Sequence, residues 1–551
     1  MATIKTNYGA LSTLITVFFF WGFIAAGNGV FIPFCKNYFH LDQFQSQLVD
    51  FAFYGAYYLG ALGLFVAGSL RLKDIVSDWG YKKSIVIGLL ISLLGAIAMI
   101  AAVRIGSGFN FFLFAFFILA LGFSLQQTAA NPFAILLGDP ATGSNRINLG
   151  GGINSFGTTI GPIVVALVLF GATSYSDDLL KGLNLDKVTW LYAGVGMLFL
   201  LAAALFHFSK KVPSGRIDQI TEKPNKAINL MLIMTLGLII CFWPVFDSYR
   251  QDLENLQAAD ILNIEYNRMY WLSTALLLIV FLLLYGRWSS QKNSNGWGAL
   301  KFPQLILGMI AIFVYVGVEV TIQSNMGELL KQDAFGGLQA ADIAPYISMY
   351  WGSLMIGRWT GAIPVFDLSE KWKNILIWIV PITAYGLVLL FNIIAGKDMS
   401  ALYYYGVCVL VLILSFILSK NRPVFTLMLF SALSMVAMCI GLFSTGMVSI
   451  YAFLSGGLFC SVMWPCIFSL SLAGLGKYET QGSAFLIMMI LGGAIIPPVQ
   501  GKLADISSIG IHQSYWLTVL CFGYLLFFAW KIKNILKAQG IDYDRVVLND
   551  D

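Results

Sequence analysis

Charge is what this sequence has least of: Asp, Glu, Lys and Arg together make up 11% of its residues, under half the share usual in soluble domains. So thin a polar coat excludes a water-soluble globular protein. Histidine is scarcer still, and His40, His207 and His512 form no HExxH pattern, which removes a zinc-hydrolase helix from consideration. The seven cysteines (35, 241, 408, 439, 460, 466, 521) lack CxxC or other metal-ligand spacing and lie in or beside apolar stretches. They read as small hydrophobes rather than as a disulfide framework. Basic residues form no stripe, so nucleic acid is not an expected partner. No cofactor fingerprint, metal site or catalytic constellation stands out, and an enzyme is not expected.

What the chain does have is hydrocarbon. Hydrophobic residues reach 58%, aromatics 15%, and mean hydropathy is +0.79. A bilayer crossing takes roughly 20 apolar residues. About sixteen such stretches can be read, near 10–35, 46–70, 84–103, 109–135, 147–172, 188–208, 227–246, 270–286, 303–327, 343–366, 374–396, 401–419, 424–443, 447–472, 483–504 and 513–531. The first exceeds a signal peptide's apolar core and no cleavage pattern follows it, so it is expected to stay as helix 1. Lys73, Lys82 and Lys83, the 210–226 group, Arg287 to Lys301, Lys420 with Arg422, and Lys531 to Lys537 all fall on one side if both termini are cytoplasmic. The opposite loop 247–269 carries five acidic residues against only Arg250 and Arg268. That Lys/Arg bias predicts a multi-pass protein with both ends inside.

The apolar run Phe109–Leu125 ends in Gln126-Gln127-Thr128-Ala129-Ala130-Asn131-Pro132-Phe133. Unsatisfied polar groups in hydrocarbon cost several kcal/mol each. A membrane helix keeps such a cluster where it faces a wet cavity and holds something polar, although amides also glue helices together. The pattern then recurs. Asn131-Pro132-Phe133, Gly143-Ser144 and Gly150 to Pro162 are echoed by Trp464-Pro465-Cys466, Gly482-Ser483 and Gly492 to Pro498, and Tyr54-Gly55 by Tyr350-Trp351-Gly352. Two matched halves around a polar cavity are the layout of secondary transporters. The expected organisation is a six-helix bundle over 1–209, a cytoplasmic linker over 210–226 and an inserted helix pair within 227–300. A second bundle over 301–540 holds another inserted pair somewhere in 374–443, and 541–551 form a tail. The fold class is all-α polytopic, and both pairs are expected at the periphery.

Phe20-Trp21-Gly22-Phe23, Asn28-Gly29-Val30-Phe31-Ile32-Pro33, Phe44-Gln45, Ala52-Phe53-Tyr54-Gly55, Gln127-Thr128-Ala129-Ala130-Asn131-Pro132-Phe133 and Arg146-Ile147-Asn148-Leu149 with Asn154-Ser155-Phe156-Gly157 together resemble the fucose–proton symporter family. That family of the major facilitator superfamily includes bacterial glucose/galactose transporters. Tyr315-Val316-Gly317, Gly357-Arg358-Trp359-Thr360-Gly361 and Gly482-Ser483-Ala484-Phe485 extend the likeness into the second half, over about twelve of the segments. The resemblance implies two rocking bundles around a sugar site, with gating at Lys82, Arg146 and Arg358. It also marks departures. Proton-coupled members carry carboxylates where Gly29 and Gln127 stand here, and a helix-5 amide has become Gly151.

Two carboxylates remain inside helices, Asp50 and Glu319. Glu319, with Asp50, is the candidate for cation coupling; the competing reading is a hydrogen-bonded structural or sugar-contacting Glu319 and a helix-start Asp50. Hydrogen bonds to hydroxyls and aromatic faces for a sugar ring point to Asn28, Tyr54, Gln126, Gln127, Asn131, Asn148, Asn154, Glu319, Gln323 and Trp464 as substrate-binding candidates. Trp21 and Tyr315 are further offers. The expected activity is import of a monosaccharide or small sugar derivative across the bacterial cytoplasmic membrane, coupled to a proton or sodium ion, by a monomer in the lipid bilayer without cofactor or metal. The alternatives are an uncoupled sugar facilitator and, ranked lower, a membrane-embedded sensor or enzyme or an efflux pump.

Overall fold

A computed structural model of the protein describes residues 5–41, 43–171, 185–216, 221–248, 257–420, 422–506 and 508–544. Lipid offers the backbone no hydrogen-bonding partner, so the long apolar runs form helices that satisfy their own amides. Six make the first bundle: α1 (Tyr8–Tyr38), α2 (Gln43–Arg71), α3 (Tyr81–Ile105), α4 (Phe109–Leu136), α5 (Gly143–Phe170) and α6 (Asp186–Phe208). The linker leads to α7 (Asn225–Ser248) and α8 (Ala258–Lys292). The rest comprises α9 (Pro303–Ser324), α10 (Ala340–Ala362), α11 (Glu370–Ile394), α12 (Gly406–Ser419), α13 (Pro423–Phe443), the interrupted spans α14 (Gly446–Cys460) with α15 (Met463–Leu472) and α16 (Glu479–Met488) with α17 (Gly492–Asp505), and α18 (Trp516–Ala538). Among the described residues fifteen spans are long and apolar enough to cross a membrane. The sixteenth stretch read from the sequence is α10, a 23-residue helix that carries Asp342 and Arg358.

The two halves are built alike. In the first, α1 lies on α5 while α3 packs on both α4 and α6; in the second, α9 lies on α17 while α13 packs on both α14 and α18. A side chain on Gly22 would collide with the Asn154 carbonyl, and one on Gly492 with the Phe313 carbonyl, so in both halves a glycine lets backbone touch backbone at the corresponding pair. Because α13 stands where α3 does, the second surplus pair is α11 with α12.

The surplus pairs flank the seams between bundles. One seam pairs α2 with α16 and the other α5 with α10. On the first, Phe51 of α2 meets Phe246 of α7 at 4.5 Å between ring centroids, while Glu265 of α8 is ion-paired with Lys502 of α17. On the second, α11 packs along α10 and Phe391 approaches Phe156 of α5. Both pairs turn large apolar side chains outward, among them Ile239, Trp243, Phe281 and Ile382.

On the side of the described termini, the linker is laid into the 72–83 loop. Arg216 pairs with Asp78 at 3.0 Å and the Lys82 amide donates to the Ser214 carbonyl. Lys82 itself corrects an expectation. Its ammonium donates to the Ser209 carbonyl at 2.7 Å, just past the end of α6, so it ties the first bundle to itself rather than across a gate. Asp74, buried in this loop, accepts the Ser77 amide and caps the short helix Ile75–Trp79. Burial pushes its carboxyl above the usual carboxylate range, opposed by the Ser77 bond. A raised value in the folded state favours the proton, so this stabilisation is present at low pH and lost as pH rises from the unfolded value through the raised one. Asp74→Asn keeps the cap without that loss. Thermal unfolding at pH 5 and pH 8 is therefore expected to show a smaller pH difference than in the parent, and Asp74→Ala, which also lacks the cap, is expected to lie about 1 kcal/mol below Asp74→Asn at both.

Candidate functional site

At mid-depth, the network around Arg358 joins the bundles. Arg358 on α10 pairs with Glu319 on α9 at 3.1 Å, and Tyr315, one turn below Glu319, donates its hydroxyl to the same carboxylate oxygen at 2.8 Å. The other guanidinium arm donates to Ser155 on α5 of the opposite bundle at 3.0 Å, and Nε reaches the Ser461 carbonyl. The Tyr350 hydroxyl holds the Glu319 backbone carbonyl, and the Trp359 indole donates to the Gly152 carbonyl across the seam. Buried charges persist when paired and multiply hydrogen-bonded, as here. The two side chains remain 12% and 13% exposed, so the pair borders open space rather than a sealed core.

Arg358, for which the resemblance implies gating, bonds both halves. It does not sit in a surface loop but reaches into the molecule to meet a carboxylate. Gly151 explains how: a Cβ there would lie 3.3 Å from Arg358 Cδ, so the missing amide is the clearance for the arginine. The Gly150-Gly151-Gly152 run was visible as a motif. That it accommodates a side chain from the other half was not, and Ser155 was quoted only as part of a block.

The first bundle supplies two further half-buried amides. Gln127 on α4 donates to the Tyr57 hydroxyl at 3.0 Å, and Asn154 on α5 donates to the Phe18 carbonyl at 3.1 Å. Each spends one bond on the scaffold, which orients it. Tyr54 is half-buried on α2, its ring facing Gly493 of α17 across the seam. Trp464 on α15 is half-buried and 6.1 Å from the Tyr315 ring, beside the Glu319 pair. Gln323 lies one turn beyond Glu319 and, among the described residues, its side chain donates to its neighbour Ser324 at 3.4 Å.

Other candidates are placed elsewhere. Gln126 is wholly buried, accepting from the Trp21 indole and donating to Ser92, both at 3.0 Å. Both ends of the amide are spent tying α1, α3 and α4 together, so it is the helix glue that a lone amide can be. Asn131 is buried and donates to the Gln127 carbonyl one turn earlier, and Asn148 is 3% exposed beside a cavity of ≈20 Å³ near Asn145 and Gly361. Arg146, a gating candidate in the sequence, is held at the end of α4. It is 1% exposed and donates to the Ala134, Ile135 and Asp139 carbonyls and the Thr142 hydroxyl, all at 2.6–2.7 Å, closing the end of α4. In this structure it caps the helix end, and none of these four bonds crosses to the other half. The side chains of Asn28 and Asp50 lie outside those described.

Bonds between bundles cluster toward the termini side: Tyr8 to Val365, Asn145 to Gly361, Ser77 to Thr480 and Ser483 to Thr128. Two matched helical halves, closed together on one face and enclosing a charged pair at mid-depth, have the fold of the major facilitator superfamily. A crystal structure of the E. coli fucose:proton symporter superposes with a TM-score of 0.62 at 20% identity, covering 96% of this chain and 99% of that one. A major-facilitator proton:xylose symporter gives 0.55 at 13% identity, covering 96% and 95%. No family model matches the chain. A glucose/galactose transporter of Brucella abortus biovar 1 (strain 9-941) is 29% identical over 525 residues, 95% of this chain and 94% of that protein. The L-fucose-proton symporter of Escherichia coli (strain K12) is 23% identical over 519 residues, 94% and 91%. The protein is thus similar over nearly its whole length to these transporters, as its motifs implied, and shares the fold of the superfamily.

Proposed function

We propose that the protein imports a monosaccharide or small sugar derivative across the bacterial cytoplasmic membrane by alternating access, both termini in the cytoplasm, with transport coupled to a proton or sodium ion. The observation that carries this reading is the Arg358 network, which couples a carboxylate in one bundle to a hydroxyl in the other at mid-depth. The sugar binds in the cleft between bundles. Gln127, Asn154 and Glu319 are its hydrogen-bonding partners, Tyr54 and Trp464 its ring faces, and Gln323 a contact toward the mouth. A proton or cation arriving at Glu319 competes with Arg358 for the carboxylate. It thereby loosens the guanidinium that also holds Ser155, so ion occupancy biases the contact that closes the termini side. The names of the full-length relatives support a sugar as cargo.

An uncoupled facilitator is the second reading, favoured by Gly29 and Gln127 at the positions where proton-coupled members carry carboxylates. A thermal-shift screen of purified protein against hexoses and amino-sugars, with and without sodium at pH 5.5 and 7.5, tests the proposal. A ligand at a hundred times its Kd adds about 2.7 kcal/mol, so one sugar is expected to raise Tm by several degrees. Proteoliposome uptake of that sugar with and without an imposed gradient separates the two readings. Accumulation above the outside concentration supports coupling, and equilibration alone overturns it.

A further inference from the structure

An apolar cavity lies apart from the Arg358 network. It occupies ≈390 Å³ between α2 and α7, walled by Phe51 and Leu59, by Leu238 and Phe242, and by Leu491 of the second half. At its inner end the Tyr58 and Thr235 hydroxyls bond each other at 3.0 Å, so the polar groups there are spent. Asp247 marks its other end, at the membrane face opposite the described termini. Its mouth opens sideways between Leu59, Ile239 and Trp243, which are 46%, 57% and 69% exposed. Nothing in these walls recognises a sugar, and apolar cavities stay dry. An apolar cavity of less than half this volume already takes up benzene when engineered into a protein core.

We propose that this cavity holds one acyl chain of a phospholipid from the leaflet opposite the termini. Its opening faces the flank of α2 and α7, two spans that cross the bilayer, so the medium that meets it is hydrocarbon. Its length agrees with one leaflet: Leu48 to Leu59, both in the wall, rise about 16 Å along the helix at 1.5 Å per residue. The hydrocarbon of one leaflet is about 15 Å deep. A chain seated there touches both halves, since Leu491 belongs to the second and α2 to the first. It fills the gap by which the inserted α7 stands off from the seam.

Gly55 offers a direct way to occupy the space, because a Cβ there meets no atom within 4 Å. The full chain is reconstituted in nanodiscs containing phosphatidylcholine with a diazirine on one tail, irradiated and mapped by peptide mass spectrometry. Labelling of residues 48–59 and 235–246 is expected to exceed that of the outward face of α4 around Phe111 and Phe114 at least threefold. Gly55→Leu is expected to cut it at least threefold while the α4 label stays unchanged. Should Gly55→Leu fail to fold, Ile239→Trp at the mouth is the second variant, with the same expected loss. Labelling no stronger than on α4, or unchanged in a folded variant, overturns the proposal. Cross-links between two copies through these residues overturn it too, by making the occupant a second chain.

Discussion

Glu319→Gln is expected to abolish the dependence of uptake on an imposed pH or sodium gradient while sugar exchange across the membrane survives. Gln keeps an oxygen to accept from Arg358 and Tyr315, so the geometry of the pair at 3.1 Å is preserved. What is lost is the negative charge, and with it any group there that can take a proton or hold a cation. Steady-state accumulation is expected to fall at least tenfold, toward equilibration. Counterflow, which needs no net ion movement, is expected to stay within about threefold of the parent; as a free-energy difference that is about 0.7 kcal/mol, set against 1.4 kcal/mol for each tenfold. Removing the charge also leaves the Arg358 guanidinium uncompensated, and breaking a buried pair costs roughly 3–5 kcal/mol where burial is complete. With both partners slightly exposed, a smaller loss of Tm is expected. Unchanged gradient dependence in Glu319→Gln would remove this residue from the coupling role and place the coupling group elsewhere.

Arg146→Met is expected to be the most destabilising substitution considered. Four donors of one buried guanidinium satisfy three backbone carbonyls and a hydroxyl at the end of α4. Helix ends leave carbonyls without partners, and each one left buried and unsatisfied costs about 1–3 kcal/mol. A total of at least about 3 kcal/mol follows from those magnitudes, lowering Tm by several degrees in detergent. Arg146→Lys is expected to restore only part, because one ammonium cannot reach acceptors spread over four residues in the planar fork that a guanidinium supplies. Purified Arg146→Met that still folds should bind sugar with an unchanged Kd. A gate would give the reverse, altered transport with an unaltered Tm.

The amide at Gln127 and the one beside it show where reading the sequence reaches its limit. Both sit in the same polar cluster and both carry the same chemistry, yet Gln126 is locked between Trp21 and Ser92 while Gln127 keeps partial exposure. Adjacent residues on a helix point about 100° apart, and which direction is the cavity depends on neighbours far away in the chain. Arg146 and Asn148 lie in one motif, and the structure gives one a capping task and the other a place beside a small cavity. The second surplus pair was confined to 374–443 but not resolved, because α11, α12 and α13 are equally apolar. Only the packing of α13 between α14 and α18 distinguishes the core helix from the additions.

Class, span count and internal duplication were determined by the sequence itself, since hydrocarbon forces every span to be a helix of bilayer length and leaves polar residues nowhere to hide. Tertiary structure alone decided that Arg358 reaches Glu319 and Ser155, that Gly151 is clearance for it, and that α7 and α11 stand beside the two seams. Each of these joins residues far apart in the chain. Local propensity and hydropathy act within one helix, whereas a contact between helices depends on how all the others pack.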